Sequence, residues 1–164
     1  MFLYIARHAW AGEHGDPRWP DDSLRELTSD GLERYTKVVK ALASRGFNPE
    51  RIATSPYVRC RQTAEIIASH SASHPTIDEL PALEPASDLE SVLEWSNEHA
   101  KEVESLCWVG HSPDVGWLAA ALIGDGDAQI RFAKGAIAAI HFESEIRTGA
   151  GELYWLATAK LLGL

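Results

Sequence analysis

Phe2-Leu3-Tyr4-Ile5-Ala6-Arg7-His8-Ala9 opens the chain with five consecutive apolar residues that stop at a cation followed by an imidazole. A continuous apolar run of this length reads as a strand buried on both faces, the kind found inside a parallel sheet. Ligands of open α/β sheets bind beyond the carboxyl ends of the strands, so Arg7 and His8 stand where a site is expected. Two further segments repeat the pattern. Arg51-Ile52-Ala53-Thr54 is a short strand followed by Ser55-Pro56, and Leu106-Cys107-Trp108-Val109 is another that ends in Gly110-His111-Ser112-Pro113. In a parallel sheet these three strand ends share one rim.

Helical segments separate the strands. Thr28 offers an N-cap to a helix whose Leu32, Tyr35, Val38, Val39 and Leu42 repeat on one face until Gly46. Ser55 as N-cap and Pro56 at the first helical position predict a second helix running to about Ser69, with Ala64, Ile67 and Ala68 inward. It carries Arg59 and Arg61 in its first two turns, where a cation opposes the helix dipole, and a bound anion at that N-terminus would give Arg59 a reason to be there. Ser87-Asp88-Leu89-Glu90 reads as a capping box, and Ser112-Pro113 repeats the Ser-Pro device before Val115, Leu118, Ala119 and Leu122. His70 to Leu83 reads as irregular, and Ala136–Phe142 and Glu152–Ala157 as two closing strands. No linker or repeat interrupts this order, so residues 1–164 are expected to form one α/β domain.

Between Trp10 and Leu27 lies a Gly-, Pro- and Asp-rich loop long enough to suggest a role. Its His14, Asp16, Asp21 and Asp22 match no common metal-ligand spacing and are expected to be solvated loop charge. The net charge of −9 with no basic stripe argues against nucleic acid. No apolar run approaches the ~20 residues of a membrane span, and no secretion signal precedes the first strand, which predicts a cytoplasmic protein. Cys60 and Cys107 are expected to be reduced core thiols, and His14, His70, His74, His99 and His141 to lie at the surface or core edge.

The expected rim therefore gathers two imidazoles, two guanidiniums and two helix starts. Guanidinium forks match phosphoryl oxygens bidentately, helix N-termini add backbone donors, and a neutral imidazole is a nucleophile. At this point the chain resembles the histidine phosphatase superfamily, and most closely its SixA-type phosphohistidine phosphatases. Arg7-His8-Ala9 matches the Arg-His-Gly/Ala signature, Leu27-Thr28-Ser29-Asp30-Gly31 the Leu-Thr-x-x-Gly segment, Ser55 to Ala64 the second motif, and Gly110-His111-Ser112 the motif of the second histidine.

The resemblance implies a phosphoglycerate mutase-like, three-layer α/β/α sandwich with a mostly parallel central sheet and an antiparallel C-terminal edge. It implies that His8 attacks phosphorus and is transiently phosphorylated, while Arg7, Arg59 and His111 hold the phosphoryl oxygens, without a metal or other cofactor. Ser112 and Arg25 are candidate further phosphate ligands. The chain departs from larger relatives in having Ser112 where they carry an acidic proton donor. Glu13, Asp16, Asp21, Asp22 and Glu84 are candidate replacements, and a phosphoimidazole leaving group would reduce the need for any. His8 must be neutral to attack, so activity is expected to fall in acid. With no insertion to form a lid, the expected substrate is a phosphohistidine on a partner protein such as a histidine phosphotransfer domain, met by a monomer.

Alternatives to that expectation are a phosphatase of small esters using the same pocket, a serine hydrolase using Ser112 with Asp125 or Asp127 and His141, and a phospho-binding module without turnover.

Overall fold

The computed structural model describes all 164 residues. Six strands, β1 (Phe2–Arg7), β2 (Arg51–Thr54), β3 (Thr76–Glu79), β4 (Ser105–Gly110), β5 (Ile137–His141) and β6 (Glu152–Ala157), form one sheet in the order β3-β2-β4-β1-β5-β6. β3, β2, β4 and β1 are mutually parallel, whereas β5 and β6 run antiparallel along the C-terminal edge. Because β1 lies between β4 and β5, both of its faces must be apolar. Leu3 and Ile5 enter one core, and Tyr4 and Ala6 the other.

Helices α1 (Ser29–Ala43) and α2 (Val58–His70) cover the Tyr4 face through Tyr35, Val38, Val39, Leu42, Cys60, Ala64 and Ile67. Helices α3 (Leu89–His99) and α4 (Asp114–Leu122) cover the Leu3 face through Val92, Val115, Leu118, Ala119 and Leu122. The result is the three-layer α/β/α architecture expected from the sequence. No helix is long and apolar enough to cross a membrane.

Several local expectations are corrected. α2 begins at Val58 with Tyr57 as N-cap, so Ser55 is not the cap, and its hydroxyl is used elsewhere. α4 begins at Asp114, with Pro113 as N-cap and no side-chain cap bond from Ser112. In α3 the cap is Asp88, which accepts from Glu90 N–H, and not Ser87. The segment after His70 is not wholly irregular: Thr76-Ile77-Asp78-Glu79 is a short edge strand whose charges mask its period, with Asp78 paired to Arg51 at 2.7 Å. Leu32 faces outward, whereas Tyr35, Val38, Val39 and Leu42 are buried as read.

Gly116 shows how tightly the loop before β5 is packed on α4. A Cβ at this position would lie 2.3 Å from the Ile130 carbonyl oxygen. Alanine is favoured over glycine in a helix by ~1 kcal/mol, but backbone displacement from overpacking costs ~1–3 kcal/mol. Gly116→Ala is therefore expected to lower stability by up to about 2 kcal/mol in denaturant unfolding; a gain in stability would show that the loop is not held against α4.

Candidate active site

Strand register brings the site together. Arg7 of β1 lies opposite Gly110 of β4, and Thr54 of β2 opposite Val109, so His8, Ser55 and His111 each follow their strand end on the same rim. Backbone bonds carry the ladder one step further, from His8 N–H to Gly110 C=O and from Ser55 N–H to Val109 C=O, both 3.0 Å. Thr63 of α2 closes the corner: its Oγ1 accepts Ala9 N–H at 3.0 Å and donates to the Arg59 carbonyl at 2.6 Å, tying the residue after His8 to the helix turn that carries Arg59. Gln62 accepts Leu27 N–H at 2.7 Å and fastens the end of the long loop to the same helix.

Arg7, His8, Arg25, Arg59, His111 and Ser112 line one cavity of about 550 Å³. His8 is 7 % exposed, and its Nδ1 lies 2.8 Å from the Ala9 carbonyl. A carbonyl only accepts, so Nδ1 carries the proton and Nε2 keeps its lone pair. The two imidazoles stand with ring centroids 5.5 Å apart. His111 Nδ1 lies 3.3 Å from Arg59 Nη2, which only donates, so its proton sits on Nε2 and is directed to Ser55 Oγ at 2.9 Å. Ser55 thus orients His111 and also accepts Tyr57 N–H at 3.3 Å.

The guanidiniums are fastened from behind. Arg7 Nη1 donates to the Phe132 carbonyl at 2.8 Å. Arg59 Nη1 donates to the Asp22 carbonyl at 2.7 Å, and its Nη2 lies 3.0 Å from the Asp22 carboxylate. Asp22 also receives Arg25 Nε at 2.8 Å and His14 Nδ1 at 2.9 Å. The Nε atoms of Arg7 and Arg59 are buried with no partner. Buried donors are normally satisfied, and these two charged N–H groups, on residues that line the cavity, are exceptions.

Burial raises the Asp22 carboxyl, but the bonds from Arg25 and His14 and the Arg59 charge outweigh it and hold the group well below the carboxylate range. Burial lowers Arg7 and Arg59, helped by the like charges of Arg131 and Arg25 respectively. His8 is pushed down to about 3, chiefly by burial, against the raising effect of its bond to Ala9, and further by Arg59, His111 and Arg7. His111 is likewise pushed down to about 3, first by burial and then by Arg59. Both imidazoles are neutral in the unliganded site.

Of the candidate acids, Glu13 lines the cavity mouth, and Asp22 is engaged in the arginine network. Asp16 pairs with Arg18, Asp21 caps the 3-10 turn Asp22–Leu24, and Glu84 does not line the cavity. No three His, Cys, Asp or Glu side chains cluster as metal ligands. The serine-hydrolase arrangement does not form: His141 pairs with Phe2 at the opposite end of β1 from Ser112. The bonds of Ser55, Thr63 and Gln62 and the carbonyls of Asp22 and Phe132 were missed by sequence reasoning. Ser55, Gln62 and Thr63 carried a signal, as members of the second motif.

A family model described as the histidine phosphatase superfamily (branch 1) matches residues 3–86. The chain belongs to this superfamily. An uncharacterized protein of Picosynechococcus sp. is 35% identical over 140 residues, covering 84% of this chain and 82% of that protein. Phosphohistidine phosphatase SixA of Escherichia coli is 29% identical over 156 residues, covering 94% and 92%. The structure of the protein histidine phosphatase SixA complexed with tungstate superposes with a TM-score of 0.85 at 27% identity, covering 99% of each chain. This histidine phosphatase is thus a SixA-like enzyme with the phosphoglycerate mutase-like fold.

The two depressed imidazoles give this histidine phosphatase a pH-dependent stability. Between pH 6.5 and about 3 the unfolded chain holds protons on His8 and His111 that the folded chain lacks. Stability is therefore full above the ordinary histidine value and is lost as pH falls through that window, at about 1.4 kcal/mol per pH unit for each group. His8→Gln should remove about half of this slope in urea unfolding between pH 6 and 4; an unchanged slope would show that His8 titrates normally in the fold.

Proposed function

We propose that the protein is a phosphohistidine phosphatase that removes the phosphoryl group from a histidine of a partner protein through a transient phosphohistidine on His8. The observation that carries the reading is the His8 tautomer: with Nδ1–H given to Ala9, the free lone pair on Nε2 belongs to a buried, neutral imidazole among three guanidiniums. Nε2 attacks phosphorus, the bond from phosphorus to the substrate imidazole breaks, and that ring leaves as it takes a proton from solvent water at the open cavity mouth. Water then attacks the phosphoryl on His8 and releases phosphate.

Arg7 and Arg59 offer guanidinium donors and charge to the equatorial oxygens, and Arg25 adds charge at the rim. A dianion arriving between the imidazoles favours protonation of His111, which can then turn Nδ1–H from Arg59 to a phosphoryl oxygen. Ser112 lines the same cavity and offers a hydroxyl donor. The matched SixA structure holds tungstate, a tetrahedral oxyanion of the shape this donor set accommodates. Charge neutralisation falls to side chains, and the reaction as drawn uses no metal or cofactor.

Phosphohistidine is favoured over an ester because no carboxylate lining the cavity is fixed as a proton donor: Glu13 is exposed at the mouth, and Asp114 accepts Ala86 N–H at 2.8 Å. Ser112 follows His111, Glu84 is outside the cavity, and Asp22 is committed to arginines. The cavity is walled by loops without a separate lid, which suits a side chain presented on a protein surface. One catalytic domain over residues 1–164, a monomer acting on a histidine phosphotransfer domain in signal transduction, fits this reading. Two free, buried cysteines fit a cytoplasmic setting.

Because burial holds His8 neutral far into acid, the expected acid loss of kcat/KM comes not from His8 in the free enzyme but from the substrate phosphoryl group. The decisive comparison is kcat/KM on matched phosphohistidine protein, phosphoserine peptide and sugar phosphate. The phosphohistidine protein is expected to lead by more than about tenfold. A tenfold preference for either ester would overturn the reading, and turnover of none would make the protein a binding module.

A further inference from the structure

A second groove, of about 680 Å³, adjoins the active cavity and shares Ser112 and Pro113 with it. One wall is α4 at Gly116 and Trp117, and the other is the loop from Gly126 to Arg131. Trp117 is the only exposed residue of α4, 45% exposed on a helix otherwise turned into the core. Nothing in the fold requires a tryptophan there.

The far wall is held in register with the reacting groups. Ile130 C=O sits over Gly116, Phe132 C=O accepts Arg7 Nη1 at 2.8 Å, and Gly135 N–H donates to His8 C=O at 3.1 Å. Arg131 and Lys134, both exposed, flank the Phe132 carbonyl that fastens Arg7. A wall packed on α4 and tied at two points to Arg7 and His8 has a fixed position relative to a phosphoryl group bound between them.

A small phosphate is accommodated by the first cavity and makes no use of the second. A phosphorylated side chain on a protein is different, because the polypeptide on either side of it must pass over the mouth. Tryptophan and arginine are the residue types that most often dominate protein interfaces, and Arg131 in the groove and Lys134 at the cavity mouth, set against one groove carboxylate, Asp127, complement an acidic partner. We propose that this groove receives the polypeptide flanking the phosphorylated residue, with an apolar side chain against Trp117 and a carboxylate near Arg131, and so selects phosphoprotein over small phosphates. The inference rests on the protein-substrate reading above.

Trp117→Ala and Arg131→Ala change exposed residues that do not line the active cavity, Arg131 bearing on Arg7 only through its like charge, and unfolding curves check that both variants fold. Each is assayed on a phosphohistidine protein and on free phosphohistidine. The expected result is a loss of about tenfold or more in kcat/KM on the protein, carried by KM, with free phosphohistidine within about twofold of wild type. Equal losses on both substrates, or no loss on the protein, would overturn the groove's role. The wild-type values judge the chemistry separately. If wild type prefers phosphoserine, the phosphohistidine reading fails, and the same variants on phosphoserine protein against phosphoserine decide the groove by the same criterion. A wild type that turns over only small phosphates overturns both.

Discussion

Two arginines held by some, but not all, of their donors set the character of this site. Arg7 and Arg59 are anchored through their Nη atoms to the carbonyls of Phe132 and Asp22, while their Nε groups are buried and unpartnered. An unsatisfied buried donor costs about 1–3 kcal/mol, and more when charged. The folded chain therefore carries a local deficit at the two arginines. Burial, helped by the same charges, keeps both imidazoles neutral, so in the proposed mechanism one arrangement supplies both the attraction for a phosphoryl group and the lone pair that attacks it.

The Asp22 network explains how a strongly acidic chain maintains this positive pocket. One residue uses its carbonyl and its carboxylate to fix Arg59, and the same carboxylate fixes Arg25. The loop from Trp10 to Leu27 is thus part of the active site, held at its end by Gln62 and by the Ala11–Leu27 bridge. A carboxylate used in this way is unavailable as a proton donor. That is a physical reason to pair the site with an easily protonated leaving group.

Much of the fold and site was legible because its signals are local. An apolar run ending in Arg-His, two Ser-Pro corners and a histidine after the third strand place their groups on one rim once the strands are parallel. What could not be read depends on contacts between distant residues. The Arg7 anchor is 125 residues away in sequence and is a backbone carbonyl, which no side-chain pattern encodes. Ser55 carries a strong N-cap signature, yet its hydroxyl orients His111, 56 residues on, because the chain stays extended until Tyr57. The lowering of His8 by neighbouring guanidiniums was legible in sequence, but burial, the largest cause, was not.

The central claim is that His8 Nε2 takes up the phosphoryl group. Rapid quench of a single turnover with labelled phosphohistidine protein, under alkaline conditions that preserve phosphoramidates, tests it most directly. The account requires label on His8 that forms and decays at rates compatible with turnover and is absent from His8→Ala. Label on His111, or phosphate release at the wild-type rate from His8→Ala, would contradict it.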